Sequence, residues 1–384
     1  MDFYPDDDLT TVPLTPRDLV RLRPAMYIGG TDSRALHHLP YVVLDHMAEE
    51  ASIGRCTHIA IELHDGDWIY IQDNSDGLPV APYKNTPFTQ MEALLRHIGY
   101  HKGQIEPDRY RSVGGIHGLG LAVVNMLSSR MLVQNDREGY RYEQSFHTGK
   151  PEMPLIRIPL DNPKQSGTLF KFRPDDSIFP QTTVDYDRLS QRAQELAYLI
   201  GGLHIAVHDL RTGSLQVGAF LYPGGLKDWV SDRVASDDRF HDPIYSRHEL
   251  DVEREHGITT KIGIEVAIQF SASGTGQQVS YLNTVQTPDG GTHLEALKQA
   301  ILNSLNQQRA NLPAFAHHSS LQWESIQPYV TAVIAVQHPS PAFVSPTKVK
   351  LASTEVREPI EHLVAEAMLQ IDTTAMQRVL THVK

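Results

Sequence analysis

The sequence has almost no cysteine and none of the features that direct a chain to a membrane. Cys56 is the single cysteine among 384 residues, so no disulfide can form within the chain, and this fits a reducing compartment. No apolar run approaches the roughly 18 residues that a membrane helix needs. The N-terminus, MDFYPDDDLTTVPL, is acidic and lacks the basic-then-apolar pattern of an export signal. We therefore expect a cytoplasmic protein.

Basic residues are also in short supply. The chain has 34 Lys and Arg against 46 Asp and Glu, a net charge of −12. Bulk charge therefore argues against a free-standing DNA binder, so DNA contact would need a local basic patch or a partner. The 20 histidines are scattered, and the two adjacent pairs, His37/His38 and His317/His318, lack metal-ligand spacing with a Cys or Glu. We interpret the histidines as surface and hydrogen-bonded core residues.

The length and the apolar pattern predict an α+β protein of two domains. A chain of 384 residues is too long for one ordinary core. PYVVLDHMAEEA has apolar residues at helical spacing, whereas HIAIELHD and WIYIQDN alternate with period two around a Gly turn, as in a β-hairpin. The Gly- and Pro-rich segment at 223–233 predicts the boundary. We expect an arm at 1–15, a first α/β sandwich domain at 16–225 and a second α/β domain at 226–384.

Three motifs carry chemistry. DNSDGLP, at 73–79, places a carboxylate at a strand end before a Gly turn, where it can accept a hydrogen bond from an adenine amino group; an ordinary Asp/Gly turn is the simpler alternative. GGIHGLGLAVVN, at 114–125, puts four glycines ahead of an apolar helix, so that exposed N–H groups converge as in a phosphate site. SGTLFKF, at 166–172, starts a strand with Gly and Thr. Each motif alone is weak evidence.

Taken together and in order, these motifs resemble one family. LRPAMYIGGTD, IQDNSDGLP, GGIHGLGLAVVN, SGTLFKF, DGGTHL and SPTKVKLASTEV match the N-terminal half of gyrase B and its topoisomerase IV counterpart, ATPases of the GHKL class, across about residues 14–370. The resemblance implies a Bergerat-type GHKL nucleotide-binding domain followed by a transducer domain. It also implies ATP as cofactor and a homodimer that closes on nucleotide binding.

The resemblance also implies roles for individual residues. Asp73 would read adenine, with Gly77 beside it and Thr168 working next to it, and Tyr110 would cover the base. Lys348 would reach from the transducer to the γ-phosphate. The lid and phosphate loop would comprise Gly114, Gly115, His117, Gly118 and Gly120. Tyr4 would match an arm tyrosine that crosses to the other protomer, and Arg137 an arginine at the edge of the pocket.

The sequence departs from the family where hydrolysis should occur. Val42 stands at the position of the glutamate base, and His46 at that of the asparagine that holds magnesium. Residues four apart share a helix face, so both would point at the γ-phosphate. Valine cannot accept a proton from water, and loss of a general base costs on the order of 10²–10⁴-fold in rate. Histidine is a poor Mg²⁺ ligand, so a bound Mg²⁺ stays an open question. His46 either acts as a substitute base or metal ligand, or simply packs.

Further differences from the family accompany these two. Pro346 replaces a glutamine two residues before the transducer lysine, and Asp76 replaces an arginine. Gln104 stands near the position of a lid lysine, with Lys102 as a substitute. Phosphoryl transfer depends on positioning and charge neutralisation, so we expect weak or lost hydrolysis.

Three functional hypotheses follow. The first is an ATP-binding, dimerising clamp. The second is a stand-alone decoy or regulator that binds small-molecule gyrase inhibitors or forms mixed dimers with a topoisomerase subunit. The third is a repurposed metal-dependent enzyme using His46, Glu50 and His117. The sequence ends after the transducer match, so it represents either a stand-alone relative or half of a longer protein.

Overall fold

The computed structural model describes residues 14–100, 120–253, 259–317, 319–344 and 349–383. The helices are α1 (Pro16–Leu22), α2 (Ala25–Ile28), α3 (Ser33–Leu36), α4 (His38–Ser52), α5 (Gln90–Arg96), α6 (Gly120–Met126), α7 (Tyr186–Leu199), α8 (Leu226–Ser231), α9 (Thr292–Asn311), α10 (Trp323–Ile326), α11 (Arg357–Met368) and α12 (Thr373–His382). None of the helices within the described ranges combines the length and the apolar character that a membrane crossing requires.

The strands form two mixed sheets. They are β1 (His58–His64), β2 (Trp68–Asp73), β3 (Ser128–Arg137), β4 (Tyr140–His147), β5 (Lys150–Pro151), β6 (Ile156–Pro159), β7 (Gly167–Pro174), β8 (His204–Asp209), β9 (Gln216–Phe220), β10 (Ile244–Glu253), β11 (Thr259–Phe270), β12 (Gln278–Leu282), β13 (Val285–Gln286) and β14 (Val330–Gln337). The first sheet has nine strands in the order β5-β4-β3-β7-β2-β1-β8-β9, with β6 also paired to β4. The second has five, in the order β10-β11-β14-β12-β13.

The first sheet is covered by helices on one face. Its strands alternate buried and accessible residues, as β2 does with Ile69, Ile71 and Asp73 buried, which is the pattern of a sheet packed on one side. Helices α4, α6 and α7 lie on the buried face, against β2, β3 and β8. The predicted hairpin is present, with β1 and β2 antiparallel. The core therefore lies between this sheet and the helix layer, and α4 runs across it.

The second sheet is buried on both faces. Every residue from Val330 to Ile334 in β14 is buried, so this strand lacks the alternation seen in the first sheet. Alternate residues of β11 and β14 enter a large apolar cluster with α9, α11 and α12. The opposite face contributes Ala267 and Val333 to a smaller cluster. That smaller cluster is completed by residues of α7 and α8.

The segment at 223–233, which we predicted as the domain boundary, contains α8. Trp229 of α8 is 2% exposed and packs with Tyr198 at the end of α7 and Tyr281 of the second sheet. The ring of Tyr198 also stacks on Tyr222, with centroids 3.6 Å apart. Apolar contacts therefore continue from the helix layer of the first sheet to the second sheet.

Candidate functional site

Asp73 lies at the end of β2, on the buried face of the first sheet, and is 4% exposed. Its Oδ1 atom accepts a hydrogen bond of 2.8 Å from the backbone N–H of Thr168. The same atom accepts from the hydroxyl of Ser75 at 3.0 Å. A buried carboxylate needs such donors to offset its lost hydration. The turn and the neighbouring strand therefore hold this carboxylate in one orientation.

Thr168 reaches Asp73 because β2 and β7 are neighbouring antiparallel strands. Gly167, just before it, has φ +133°, and a Cβ there would clash with the carbonyl oxygen of Asp73. Only glycine lets the strands approach so closely. The hydroxyl of Thr168 donates to Oδ1 of Asn135 at 3.2 Å. The structure thus brings together Asp73 and Thr168, which are 95 positions apart in the sequence.

Asn135 is a site residue that we did not predict. It is fully buried in β3, and its amide receives a 2.6 Å hydrogen bond from the N–H of Leu78 and returns one of 3.0 Å to the Leu78 carbonyl. Because this side chain clamps the DNSDGLP turn and also meets Thr168, it links two of the three motifs. The available signal was a polar amide at the inward position that follows Met131 and Val133 in the alternation of β3.

Gly77 lies inside this clamp. Its φ is +76°, and an added Cβ would lie 2.6 Å from Oδ1 of Asn135 and 2.8 Å from the carbonyl oxygen of Asp136. Arg137 donates from Nη1 to the Gly77 carbonyl at 2.9 Å. Glycine is therefore favoured at position 77 for two reasons: its backbone is left-handed, and β3 leaves no space for a Cβ atom. Arg137 therefore holds the turn, and its place at the edge of a nucleotide pocket stays a prediction.

Val42 and His46 lie one turn apart on α4. Val42 is half-buried and packs against the first core. His46 is also half-buried, and its ring meets Phe170 of β7 edge-on, with centroids 6.3 Å apart. Phe170 lies two residues beyond Thr168 on the same face of the strand. His46 therefore borders the strand that serves Asp73, and neither position carries a carboxylate.

Two of the acidic residues of α4, Asp45 and Glu50, pair with arginines. Asp45 is 3% exposed, and its Oδ1 accepts a 2.6 Å hydrogen bond from Arg192 of α7. Glu50 is 2% exposed and lies 3.8 Å from Arg55. In the described part of the chain, no three His, Cys, Asp or Glu side chains come together in a way that would hold a metal ion. The metal set proposed with His46 also required His117, which lies outside the described residues.

Most of the residues predicted to hold the phosphates lie outside the described ranges. Gly120, the last glycine of its motif, begins α6 with φ +64°. The other residues expected there are outside the described residues, and they are Tyr110, Gly114, Gly115, His117, Gly118 and Lys348. The residues predicted to read the base are described: the buried, oriented carboxylate of Asp73 stands beside a turn that has no room for a side chain at Gly77.

Comparisons with known proteins identify the family that the chain resembles. A family model described as DNA gyrase B matches residues 225–381. The gyrase B protein of Thermotoga maritima is 34% identical over 92% of this chain and 54% of the relative. The chain therefore spans about half the length of the curated relatives that it matches.

Solved structures extend the likeness to the whole chain. The crystal structure of the 43K ATPase domain of Thermus thermophilus gyrase B, in complex with an aminocoumarin, matches with a TM-score of 0.77 and 26% identity, over 96% of this chain and 93% of that one. The gyrase B structure from Myxococcus xanthus shares the fold, with a TM-score of 0.76 and 24% identity over 96% of this chain and 99% of that one. The predicted GHKL fold class is confirmed.

Proposed function

From the premise that this chain is a homologue of the ATPase half of DNA gyrase B, we propose that it is an ATP-binding clamp. Two copies close on each other when nucleotide binds, and hydrolysis is weak or lost. The observation that carries the binding part is the oriented carboxylate of Asp73, held by the N–H of Thr168 at 2.8 Å. A fixed acceptor at the wall of a cleft selects a ligand that presents an N–H donor, as the adenine amino group does.

The buried surroundings make Asp73 selective. A site built to pair a polar group discriminates strongly against ligands that leave this group unpaired, because the buried group then loses its hydrogen bond. Thr168, Asn135 and Gly77 hold the pocket wall around Asp73. We propose that the glycine-rich motif at 114–125 binds the triphosphate of ATP. We propose that Lys348 contacts its γ-phosphate.

The weak-hydrolysis part of the proposal rests on α4. Val42 offers no proton acceptor, and Asp45 is bound to Arg192 and so is not free to replace it. His46 packs edge-on against Phe170, and an imidazole is a poor ligand for the hard Mg²⁺ ion. Without a general base, the rate falls by on the order of 10²–10⁴-fold, so a closed dimer would be long-lived.

The proposed partners follow from the same homology. We propose a homodimer in the presence of nucleotide and a topoisomerase subunit as a second partner, with DNA reached only indirectly or through that partner. The net charge of −12 favours this indirect route. A cytoplasmic location is part of the proposal.

Calorimetric titration with a non-hydrolysable ATP analogue tests the binding part. The wild type should bind, and Asp73→Asn should weaken binding by at least about tenfold, since a charge-assisted acceptor is lost. Asp237→Asn serves as the control, because Asp237 is exposed and belongs to none of the motifs assigned to the site. Equal binding by all three proteins would refute the assigned role of Asp73. A phosphate-release assay on the same wild-type sample measures turnover.

A second candidate function is a decoy that binds inhibitors of gyrase. The Thermus thermophilus ATPase domain, which shares 26% identity with this chain, was solved with an aminocoumarin. Competition calorimetry separates the two functions. Displacement of a bound aminocoumarin by the ATP analogue at micromolar concentration supports the clamp. Tight aminocoumarin binding without detectable nucleotide binding supports the decoy.

A further inference from the structure

Arg192 joins the helix that carries Val42 and His46 to the second sheet. Its Nη2 lies 2.6 Å from Oδ1 of Asp45, and the two side chains are only 8% and 4% exposed. Its Nη1 donates a 3.0 Å hydrogen bond to the backbone carbonyl of Thr284. One guanidinium therefore touches α4 at one end and the turn between β12 and β13 at the other.

The turn that receives Arg192 has an unusual backbone. Asn283 and Thr284 have φ of +48° and +69°, in the left-handed region that residues other than glycine rarely adopt. Such conformations persist where surrounding contacts hold them. The Thr284 carbonyl is held by Arg192, and the Asn283 side chain is held from the other side.

Asn283 links the β12–β13 turn to the residue that follows β14. Its Nδ2 donates to the carbonyl of His338 at 2.7 Å, and its Oδ1 accepts from the His338 N–H at 2.7 Å. His338 is fully buried, and its Nδ1 accepts from the N–H of Ser340 at 3.0 Å, so Nε2 carries the ring proton and faces Glu355 at 3.1 Å. The segment from His338 to Val344 leads directly to 345–348, where Lys348 lies.

We propose that Arg192 is a positioning residue that couples the nucleotide site on α4 to the segment 338–344 through the β12–β13 turn. The inference rests on the proposed function, because it concerns what nucleotide binding transmits. Asp45 is the residue directly before His46, so any shift of α4 at the site moves this carboxylate.

A buried ion pair is well suited to transmit such a shift. Separating Asp45 from Arg192 would leave the buried Asp45 carboxylate without this partner, which is strongly unfavourable, whereas Arg192 would keep Glu195 at 3.5 Å. Arg192 therefore follows Asp45 and moves the Thr284 carbonyl, while the two hydrogen bonds of Asn283 make the β14 end follow the turn. The coupling uses contacts that all lie in the described residues and needs no other carrier between the two sheets.

Two variants separate coupling from simple structural support. The double variant Asp45→Asn/Arg192→Gln removes both charges together, so that neither is left buried alone. Asn283→Gly removes the link to His338, while glycine accepts the left-handed backbone. The matched control is Asp209→Asn/Arg211→Gln. In that pair Asp209 is fully buried and Arg211 is 19% exposed, but Arg211 contacts Asp209 and the Val184 carbonyl within the first sheet and its helix layer.

The measurement is hydrogen exchange of peptides covering 338–344, with and without a non-hydrolysable ATP analogue, alongside calorimetry on the same samples. In the wild type and the control, nucleotide should change the exchange rate of this segment by about tenfold, within the usual range of coupling between sites. In both test variants this response should disappear, while nucleotide binding persists.

Three outcomes would overturn the coupling. A wild-type response in either test variant shows that Arg192 and Asn283 are not the route. A wild type that binds nucleotide without any exchange change at 338–344 shows that nothing is transmitted there. Absence of nucleotide binding by the wild type, seen directly in the calorimetry, overturns the proposed function and the coupling with it. If the double variant fails to fold, Asn283→Gly decides the matter alone.

Discussion

The ring of His46 packs edge-on against the ring of Phe170, and the two centroids are 6.3 Å apart. Phe170 lies on β7, the strand whose Thr168 donates a hydrogen bond to Asp73. This contact brings the face of α4 that carries Val42 next to the strand that fixes the Asp73 carboxylate. Under the proposed function, Val42 is therefore the position at which a carboxylate would act as a general base.

We predict that Val42→Glu/His46→Asn raises the rate of ATP hydrolysis. A positioned general base contributes on the order of 10²–10⁴-fold, so the gain should be at least about a hundredfold over the wild type. Val42→Gln/His46→Asn is the control, because glutamine has the same size but accepts protons poorly. A coupled phosphate-release assay at saturating Mg-ATP measures both. Equal rates in the two variants would contradict the base role.

We predict that Gly77→Ala destabilises the fold more than Gly54→Ala does. Both glycines have positive φ, +76° and +79°, but only at Gly77 would a Cβ meet neighbours, at 2.6 and 2.8 Å. Left-handed backbone should cost each variant about 1–2 kcal/mol, and overpacking should add about 1–3 kcal/mol at Gly77. Urea unfolding followed by circular dichroism gives the difference. Equal midpoints would show that β3 yields to the methyl group.

We predict that His293 makes the protein less stable in mild acid. Burial lowers the pKa of His293 to about 4 from the usual 6.5. Below pH 6.5, His293 therefore binds a proton in the unfolded chain, whereas in the folded chain it binds one only near pH 4. Folding stability should fall by about 3 kcal/mol over that interval from this group alone.

Urea unfolding at several pH values between about 7.5 and 4.5 measures that slope. In His293→Gln, the free energy of unfolding should depend less on pH than in the wild type. This holds even if the substitution changes the stability at neutral pH. His362→Gln is the control, because the side chain of His362 is 80% exposed and should leave the slope as in the wild type. A wild-type slope in His293→Gln would contradict the assignment.

We predict that Cys56 resists thiol reagents until the protein unfolds. Cys56 is 4% exposed, and burial raises the pKa of its thiol to about 11. At about pH 8 the thiolate fraction is then about 10⁻³, against roughly a quarter for a free cysteine. Labelling with a disulfide reagent should be at least about a hundredfold slower in buffer than in urea. Rapid labelling of the folded protein would contradict this burial.

Much of the fold was predictable because its strongest local signals agree with the tertiary structure. The period-two alternation before and after the HDGDW turn predicted the hairpin of β1 and β2, and Thr89 caps α5 as its sequence suggests. We did not predict α12, although Asp372 caps it and its buried residues recur at helical spacing. The signal was present there, and we overlooked it.

Tertiary relationships were the part that local pattern could not reveal. The pattern of QQVSYLNTV predicts one strand, whereas the chain turns back at Asn283 and Thr284. No glycine marks the bend, and distant partners hold the turn. Likewise, Asn135 acts on Leu78, 57 positions away. The motifs identified Asp73 and Thr168 by their order, but the residue that ties them together has no motif of its own.

The small apolar cluster around Trp229 has a consequence for how the molecule denatures. Tyr198, Trp229 and Val333 belong to one cluster with members from both sides of the 223–233 segment. Unfolding of either sheet would therefore expose apolar surface on the other. Scanning calorimetry should therefore record a single heat-absorption peak, and protease cleavage within that segment should leave two fragments that stay associated.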